Sequence, residues 1–409
     1  MRIVVVTARL PHGRGETFLV PELRHLAELG HDVLLVPLRC SGGPEQALPA
    51  GIQVASCQLL AVRVLLGALQ ASLRAPGRLL DVLLALPRDH RLWILLTNLA
   101  SLPKALWLAE LARRWRADHI HAYWASAPAT VAGLASLMSS VPWSFSGHRY
   151  DIVQGNLIGW KLASASGMRV VSISGMRLLI ECLGRAGIRD AEATALLART
   201  QVIHLGVDLP ALAAPAATDP VVVCPAMLAP VKGHQVLLQA FRLVVEVCPS
   251  ARLLLAGTGA LERRLRDQAV TLGIGPSVEF LGHVSHAELL EMYSRGRIAC
   301  VALASVILGP GHHEGIPVAL MEAMSYGIPV VSTATGGIPE LLTTDSGILV
   351  PPDDPIGFAE AIRRILTDKA LHVALGRGGR GRIKGEFEAR SCAGAVIRML
   401  RGTPAGRAA

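Results

Sequence analysis

Two doubly wound α/β domains are what this sequence predicts, and three observations predict them. The chain has 409 residues, above the size at which a single hydrophobic core keeps growing. Short, nearly continuous apolar runs alternate with helix-like stretches from end to end, the pattern of parallel sheets covered on both faces. A proline-rich stretch at 209–220 (Leu-Pro-Ala-Leu-Ala-Ala-Pro-Ala-Ala-Thr-Asp-Pro) interrupts that alternation just before a new apolar run, where prolines break any regular element.

The strands expected in chain order are 3–6, 33–36, 120–121, 144–146, 170–173 and 202–203 in the first half. The second half adds 221–224, 252–256, 278–280, 298–302 and 330–332. The division that follows is a first domain over 1–208, a linker over 209–220 and a second domain over 221–385. A C-terminal helix over 386–402 is expected to cross back to the first domain. The tail past Gly402 is too small and polar to need order, and no repeat at a solenoid period is visible.

Composition narrows the classes. With 51% hydrophobic and 17% charged residues, intrinsic disorder and collagen are excluded. Seven scattered cysteines without a Cys-x-x-Cys pair argue against a disulfide framework or structural zinc and for a reducing compartment. The apolar run 3–6 is too short for the core of a signal peptide, and Arg9, Arg14 and Glu16 follow at once. Within the apolar stretch 59–116 no uncharged run reaches the length of a membrane span, since Arg91 and Lys104 enclose only 92–103. The net charge of +9 invites a nucleic-acid reading, but only five of the 40 basic residues are lysine and the arginines are scattered. That distribution fits coding bias, and no nucleic-acid partner is expected. One segment stands out. Residues 59–116 hold nine basic and three acidic residues amid leucines, valines and tryptophans in helix-like spacing. Helices packed on a sheet with arginines turned to water explain it, and so do cationic amphipathic helices lying on an anionic bilayer surface.

The sharpest constellation lies at 314–340: Glu314-Gly-Ile-Pro-Val-Ala-Leu-Met-Glu322, Gly327, and then Thr335-Gly-Gly-Ile-Pro-Glu340. Pro317 suits the first turn of a helix. The free N–H groups of Val318 and Ala319 would then face an anion, aided by the helix dipole. Glu314 before that helix and Glu322 within it are placed to hold neighbouring parts of one ligand, and a diol suits Glu322. The plain alternative, two solvated helix charges, sits poorly with the surrounding glycines and prolines.

This pattern resembles the retaining family 4 glycosyltransferases of GT-B architecture, in which two Rossmann-like domains face each other across a cleft. The resemblance covers nearly the whole chain. Residues 9–33, with Gly13, Gly15, Glu16-Thr17-Phe18 and Gly30-His31, resemble the family's first strand, glycine loop and helix. Ser146-Gly147-His148-Arg149-Tyr150-Asp151 resembles its histidine loop, and Ile203-His204-Leu205-Gly206-Val207-Asp208 its entry to the interdomain linker. Pro230-Val231-Lys232-Gly233-His234 resembles the Lys-Gly phosphate site, and Gly257-Thr258-Gly259 the turn beside the nucleotide base and ribose.

The resemblance implies an acceptor-side first domain and a second domain that binds a nucleotide-sugar donor. Glu322 would bind the donor's ribose, and Glu314 would contact the transferred sugar. Lys232 would neutralise the leaving diphosphate, with further donors from the backbone at Gly15 and Val318. His148 would lie beside the transferred sugar. Gly257 would approach the nucleotide, and Thr335, Gly336 and Gly337 the diphosphate. No protein nucleophile, cofactor or metal is expected. The implied reaction moves a sugar to a saccharide or lipid-linked saccharide acceptor, in exopolysaccharide or other surface-glycan assembly. It would take place in the cytoplasm, with peripheral contact at an anionic inner membrane face. The rival readings are a GT-B sugar-nucleotide epimerase and a non-catalytic nucleotide-sugar-binding subunit. One departure bears on them: the family's Gly-Arg-Leu, five positions before the lysine, is here Ala226-Met227-Leu228. Arg149 and Arg14 are the candidates for the missing second phosphate cation.

Other features fail as sites. His119-x-His121 and His312-His313 lack a second ligand pair for a metal and read as strand and loop histidines. His283 and His286 read as residues at a helix start whose N-cap is Ser285. Gly13-Arg14-Gly15 is no phosphate-binding Walker loop. Ser174-Gly175 lacks the hydrolase elbow, and Cys182 and Cys300 read as buried packing.

Overall fold

The computed structural model describes residues 1–43, 46–59, 61–86, 91–214, 217, 219–309 and 311–402, without the side chain of Arg14. Parts of the expected linker (215, 216 and 218), Arg88 and Asp89 of the charged segment, and the tail past Gly402 therefore lie outside the described residues. The chain divides into two compact units, one formed by 1–205 with the residues from 390 onward, the other by 206–389.

The first unit is built on seven parallel strands: β1 (Arg2–Thr7), β2 (Asp32–Pro37), β3 (Ile52–Val54), β4 (His119–Ala122), β5 (Trp143–Gly147), β6 (Gly167–Val170) and β7 (Thr200–Val202). Their order is β3-β2-β1-β4-β5-β6-β7. Because side chains alternate across a strand, β1 feeds two cores. Val4 and Val6 meet Leu34, Val36, Ile120 and Ala122 on one face, while Ile3 and Val5 meet Val33 and Leu35 on the other. The second core is closed by the terminal helix Ala389–Leu400, through Ala393, Val396, Ile397 and Leu400.

The second unit repeats the plan with β8 (Val221–Pro225), β9 (Arg252–Ala256), β10 (Val278–Gly282), β11 (Cys300–Leu303), β12 (Val330–Thr333) and β13 (Ile348–Val350). They run in the order β10-β9-β8-β11-β12-β13 and are all parallel. In each sheet the order reverses at the first strand. The loops leaving β1 and β4, and those leaving β8 and β11, therefore diverge and open a crevice at the carboxyl edge.

A buried ion pair fixes the first unit. The Arg169 guanidinium on β6 donates through Nη1 to both oxygens of Glu22, at 2.9 and 2.8 Å, and through Nε to the Ile203 carbonyl at 2.7 Å. Its Nη2 donates to the His204 carbonyl at 2.5 Å, and the Tyr123 hydroxyl also donates to Glu22. Arg169, Glu22 and Tyr123 are all inaccessible to solvent. One cluster thus joins β6, the helix Val20–Glu28, the end of β4 and the chain leaving β7.

Several expectations change. The strand expected at 170–173 ends at Val170, because Ser172 is a helix N-cap whose hydroxyl accepts the Gly175 N–H at 2.9 Å. The edge strands β3 and β13 were not expected; each has three residues, too few for a periodic signal. Residues 210–214 of the expected linker are held on the second unit, where the Arg380 guanidinium donates to the Pro210 carbonyl at 2.5 Å and the Ala214 N–H to the Tyr326 carbonyl at 2.8 Å. The helix Leu92–Arg114 is long and apolar enough to cross a membrane, which the charge spacing around Lys104 had argued against. Its Lys104 and Glu110 are both buried in the unit.

The buried pair makes a stability prediction. Arg169→Met leaves Glu22 ionised without its guanidinium, and a loss of about 3–5 kcal/mol in urea unfolding is expected. Glu22→Leu combined with Arg169→Met should recover most of that loss. A double variant as unstable as the single one would show that the uncompensated charge is not what the cluster neutralises.

Candidate active site

In the second unit, residues after four strand ends converge. After β8 the chain turns through Pro230–Lys232 into the helix His234–Val247. Gly233 at the junction has φ +64°, and a Cβ there would sit 1.7 Å from the Ala304 carbonyl oxygen. Only glycine permits this approach, and it presses the lysine loop against the chain leaving β11. Lys232 Nζ donates to Glu314 Oε2 at 2.5 Å, both side chains being largely buried. The contact occupies one of the three ammonium protons.

The loop after β12 is seated on the same carboxylate segment. Gly336 has φ +54°, and a Cβ on it would meet the Glu314 carbonyl oxygen at 1.8 Å. Thr335 is fully buried beside it, and Thr333 Oγ1 donates to the Ser305 carbonyl at 2.5 Å, joining the ends of β12 and β11. Gly337 approaches Gly315 and Ile316. Gly257 is already required by the packing of the unit itself. A Cβ there would lie 2.1 Å from the Ala226 carbonyl oxygen, and the Leu228 N–H donates to the Thr258 carbonyl at 3.0 Å. Met227, between these contacts, is 63% exposed.

The helix after Glu314 runs Val318–Ser325. Pro317 is its N-cap rather than its first helical residue, with ψ 117°, and no side chain caps it. The first-turn N–H groups of Val318 and Ala319 have no preceding turn to receive them. Glu322 is one turn from the C-terminal end, where His286 Nε2 lies 2.6 Å from its Oε1. Ser285 caps the helix His286–Ser294 as expected, in a capping box with Glu288. His286 is instead a partner of the glutamate, a contact 36 residues apart in sequence. Tyr293 and Tyr326 pack behind it, ring centroids 5.9 Å apart. Burial and the Glu322 charge push both phenols up.

His148 belongs to the first unit, in the loop leaving β5, and Arg149 begins the helix Arg149–Gln154 that follows. The His148 ring lies 4.4 Å from Trp124, tilted by 36°, and edge-on to Phe18 at 5.7 Å. Part of the residue is exposed, but both ring nitrogens are shielded from solvent. Burial, reinforced by the Arg169 charge, holds its pKa down at about 3. The backbone is pinned by Asp151, which accepts the His148 N–H at 2.6 Å and the Ala125 N–H. Burial pushes Asp151 up to about 7, against the pull of those N–H groups and Lys161.

The glycine loop is organised by a residue that sequence reasoning quoted but gave no role. Glu16 accepts the backbone N–H groups of Ala8, Arg9 and Leu10, at 3.0, 2.6 and 2.8 Å, and Trp124 Nε1 at 2.5 Å. It therefore also fixes the ring that lies against His148. Gly15 is exposed with open space around its Cα, so nothing within this unit demands glycine there. The Arg14 side chain lies outside the described residues. His119 and His121 share Ser144 Oγ at 2.8 Å each, inside the sheet. Burial brings His119 down to about 4 and His121 well below its usual value. His313 Nδ1 lies 2.8 Å from the Glu314 carbonyl. Among the described residues no cluster of three His, Cys, Asp or Glu side chains is placed to hold a metal ion.

Comparison with known proteins agrees with this arrangement. Residues 213–382 match the family described as Glycosyl transferases group 1. The chain is 30% identical over 171 residues to a GDP-mannose-dependent monoacylated alpha-(1-6)-phosphatidylinositol monomannoside mannosyltransferase of Corynebacterium glutamicum. It is 37% identical over 180 residues to WcaL of Escherichia coli K12, a putative colanic acid biosynthesis glycosyltransferase. Each match covers 42% of this chain and 44% of the relative, so the chain is matched to less than half of either. The crystal structure of Anabaena HepE in complex with UDP aligns over 98% of this chain and 100% of that one, with a TM-score of 0.68 at 18% identity, which is a likeness of fold. The two Rossmann-like units are those of the GT-B fold, and residues 213–382 match a group 1 glycosyl transferase domain.

Proposed function

We propose that the protein is a retaining glycosyltransferase that moves a sugar from a nucleoside-diphosphate sugar to a saccharide or lipid-linked saccharide acceptor. The observation that carries this reading is the convergence of Lys232, Glu314 and the Thr335–Gly337 loop at the carboxyl edge of the second sheet. Lys232 retains two ammonium protons for diphosphate oxygens, and the N–H groups at Val318 and Ala319 add dipoles aimed at the same charge. Glu314 contacts hydroxyls of the transferred sugar. Glu322, oriented by His286, takes the ribose. In a retaining transfer without a protein nucleophile, the departing diphosphate takes the acceptor hydroxyl proton on the face it leaves. The protein's share is then positioning and charge stabilisation. His148, shielded and neutral, positions the sugar through its ring rather than by donating charge. The proposed reaction uses no metal or cofactor.

The WcaL and phosphatidylinositol-mannoside relatives support a surface-glycan role, with a cytoplasmic enzyme at the inner membrane face and a lipid-linked acceptor. The donor base is separable by a thermal-shift panel, since the cognate UDP-, GDP-, dTDP- or ADP-sugar stabilises the fold most. Donor turnover measured with and without acceptor tests the class. Turnover without acceptor would mean an epimerase, and binding without turnover a partner subunit.

Three outcomes follow at the level of residues. Lys232→Ala should lower kcat by at least about 100-fold, the scale of removing one donor to a developing oxyanion, while Met227→Arg restores part of it by returning a cation to an exposed position beside the Gly257 turn. An unchanged kcat in Lys232→Ala would remove the phosphate-site reading. Glu322→Ala should chiefly raise the donor KM, and Glu314→Ala chiefly lower kcat, because ribose contacts are alike in ground and transition states whereas contacts to the transferred sugar tighten. Equal KM effects with untouched turnover would count against those roles. The third outcome concerns pH. His148 binds its proton at about 3 when folded and near 6.5 when unfolded, so the unfolded state holds the extra proton between those values and stability falls as pH drops through that window. His148→Gln should flatten this fall by up to one proton. An unaltered slope in urea titrations would contradict the shielding of the ring.

A further inference from the structure

The helices Val62–Arg74, Pro76–Ala85 and Leu92–Arg114 are apolar on two sides. Their inward stripes, Ala68 and Ala71, Val82 and Ala85, Ala105 and Leu108, join one core over the same face of the first sheet, with Val4 and Val6. Their outward positions repeat the helical spacing a second time. Val62, Leu66, Leu69 and Leu73 follow one another on the first helix, Leu80 and Leu84 on the second, and Leu92, Leu96 and Leu99 on the third with Trp93 beside them. All ten are exposed, Leu73 by 73% and Leu92 by 68%. A soluble surface helix carries charge on that side, and an apolar surface of this extent marks an interaction site.

The charges around the stripe identify its partner. Arg63, Arg74, Arg78 and Arg91 lie on or at the ends of these helices. Of the two acids on them, Glu110 is buried and shared by Arg74 at 2.6 Å, Arg114 at 2.7 Å and Arg113, so one carboxylate answers three guanidinium groups. At the start of the third helix, Arg91 and Arg185 line a cavity of about 890 Å³ together with Leu157 and Trp160. Leucines and a tryptophan bordered by arginines match the boundary between lipid headgroups and acyl chains. A second copy of the chain would bring the same positive flank against itself, a like-charge juxtaposition.

We propose that this three-helix flank is a bilayer-docking surface, whose leucines and Trp93 enter an anionic leaflet to the depth of the headgroups while the arginines pair with lipid phosphates. The third helix lies along the surface and does not cross, because its inner side is committed to the protein core. The proposal deepens the lipid-linked-acceptor reading above and rests on it for its setting. Vesicle binding is read without donor or acceptor, so its failure would leave the transfer reaction standing.

The test is cosedimentation of the full chain with phosphatidylglycerol–phosphatidylcholine vesicles, compared with phosphatidylcholine alone. Binding should favour the anionic vesicles and weaken with salt, since exposed charges are screened over roughly 10 Å at 0.1 M. Leu69→Ser, Leu84→Ser and Leu96→Ser together should lower the partition coefficient at least tenfold, because each removes an apolar side chain that would otherwise leave water. The unfolding midpoint should barely move, the three side chains being exposed. On the unsubstituted protein, brominated lipid should quench a part of the tryptophan emission that is missing in Trp93→Phe. Equal binding by the triple variant, or quenching unaffected by Trp93→Phe, would overturn the proposal. So would a dimer in light scattering that the triple substitution dissociates, in a protein that ignores vesicles.

Discussion

Each sheet reverses its strand order at its first strand, and the remaining features take their places from that constraint. Parallel crossovers are right-handed, so a sheet that grows outward in both directions from one strand sends its connections to opposite faces. At the carboxyl edge the two central loops then part. In the second unit those loops carry Lys232 and Glu314, and the next strand out carries the Thr335–Gly337 loop. In the first unit the loop leaving β1 holds Glu16 and the loop leaving β4 holds Trp124, so the carboxylate bonded to the indole spans the parting. Chemistry-bearing residues collect there because it is where the fold leaves backbone uncovered.

Charge is handled differently in the two units. The Arg169–Glu22 pair is closed to solvent and bonded to helix, sheet and loop at once, so it locks them in one arrangement. Its field reaches His148 and His121, and both are held neutral in part by a cation that touches neither ligand nor solvent. Lys232 and Glu314 keep partial access to solvent and spare hydrogen-bonding capacity. A fully buried pair suits a scaffold, while one with partial access to solvent at a strand edge suits a site.

Much of this was legible in the sequence. The uninterrupted valines at 3–6 and 221–223 announced central parallel strands, and Glu314 and Glu322 with their glycines announced the second unit's site. What escaped had weak local signals. Three-residue edge strands leave no periodicity. The pairing of His286 with Glu322 joins residues in different elements, and the reach of Glu16 to Trp124 depends on two loops meeting in space. At Gly257 the approach that the structure shows is to the protein's own backbone, a neighbour that the sequence does not reveal. The exposed leucines of the 62–99 stretch were visible as apolar residues, but only the fold shows which of their two stripes is left outside.

The contact between Lys232 and Glu314 bears on selectivity. A bare phosphate offers charge alone, so to win the ammonium it must displace a carboxylate 2.5 Å away and strand that carboxylate in a largely covered place. A molecule that presents phosphate oxygens and sugar hydroxyls at the proper separation satisfies both partners as it parts them. In the proposed reaction the pair would act as a two-pronged lock, disregarding the abundant inorganic anions of a cell and opening to a ligand that carries both kinds of group at once.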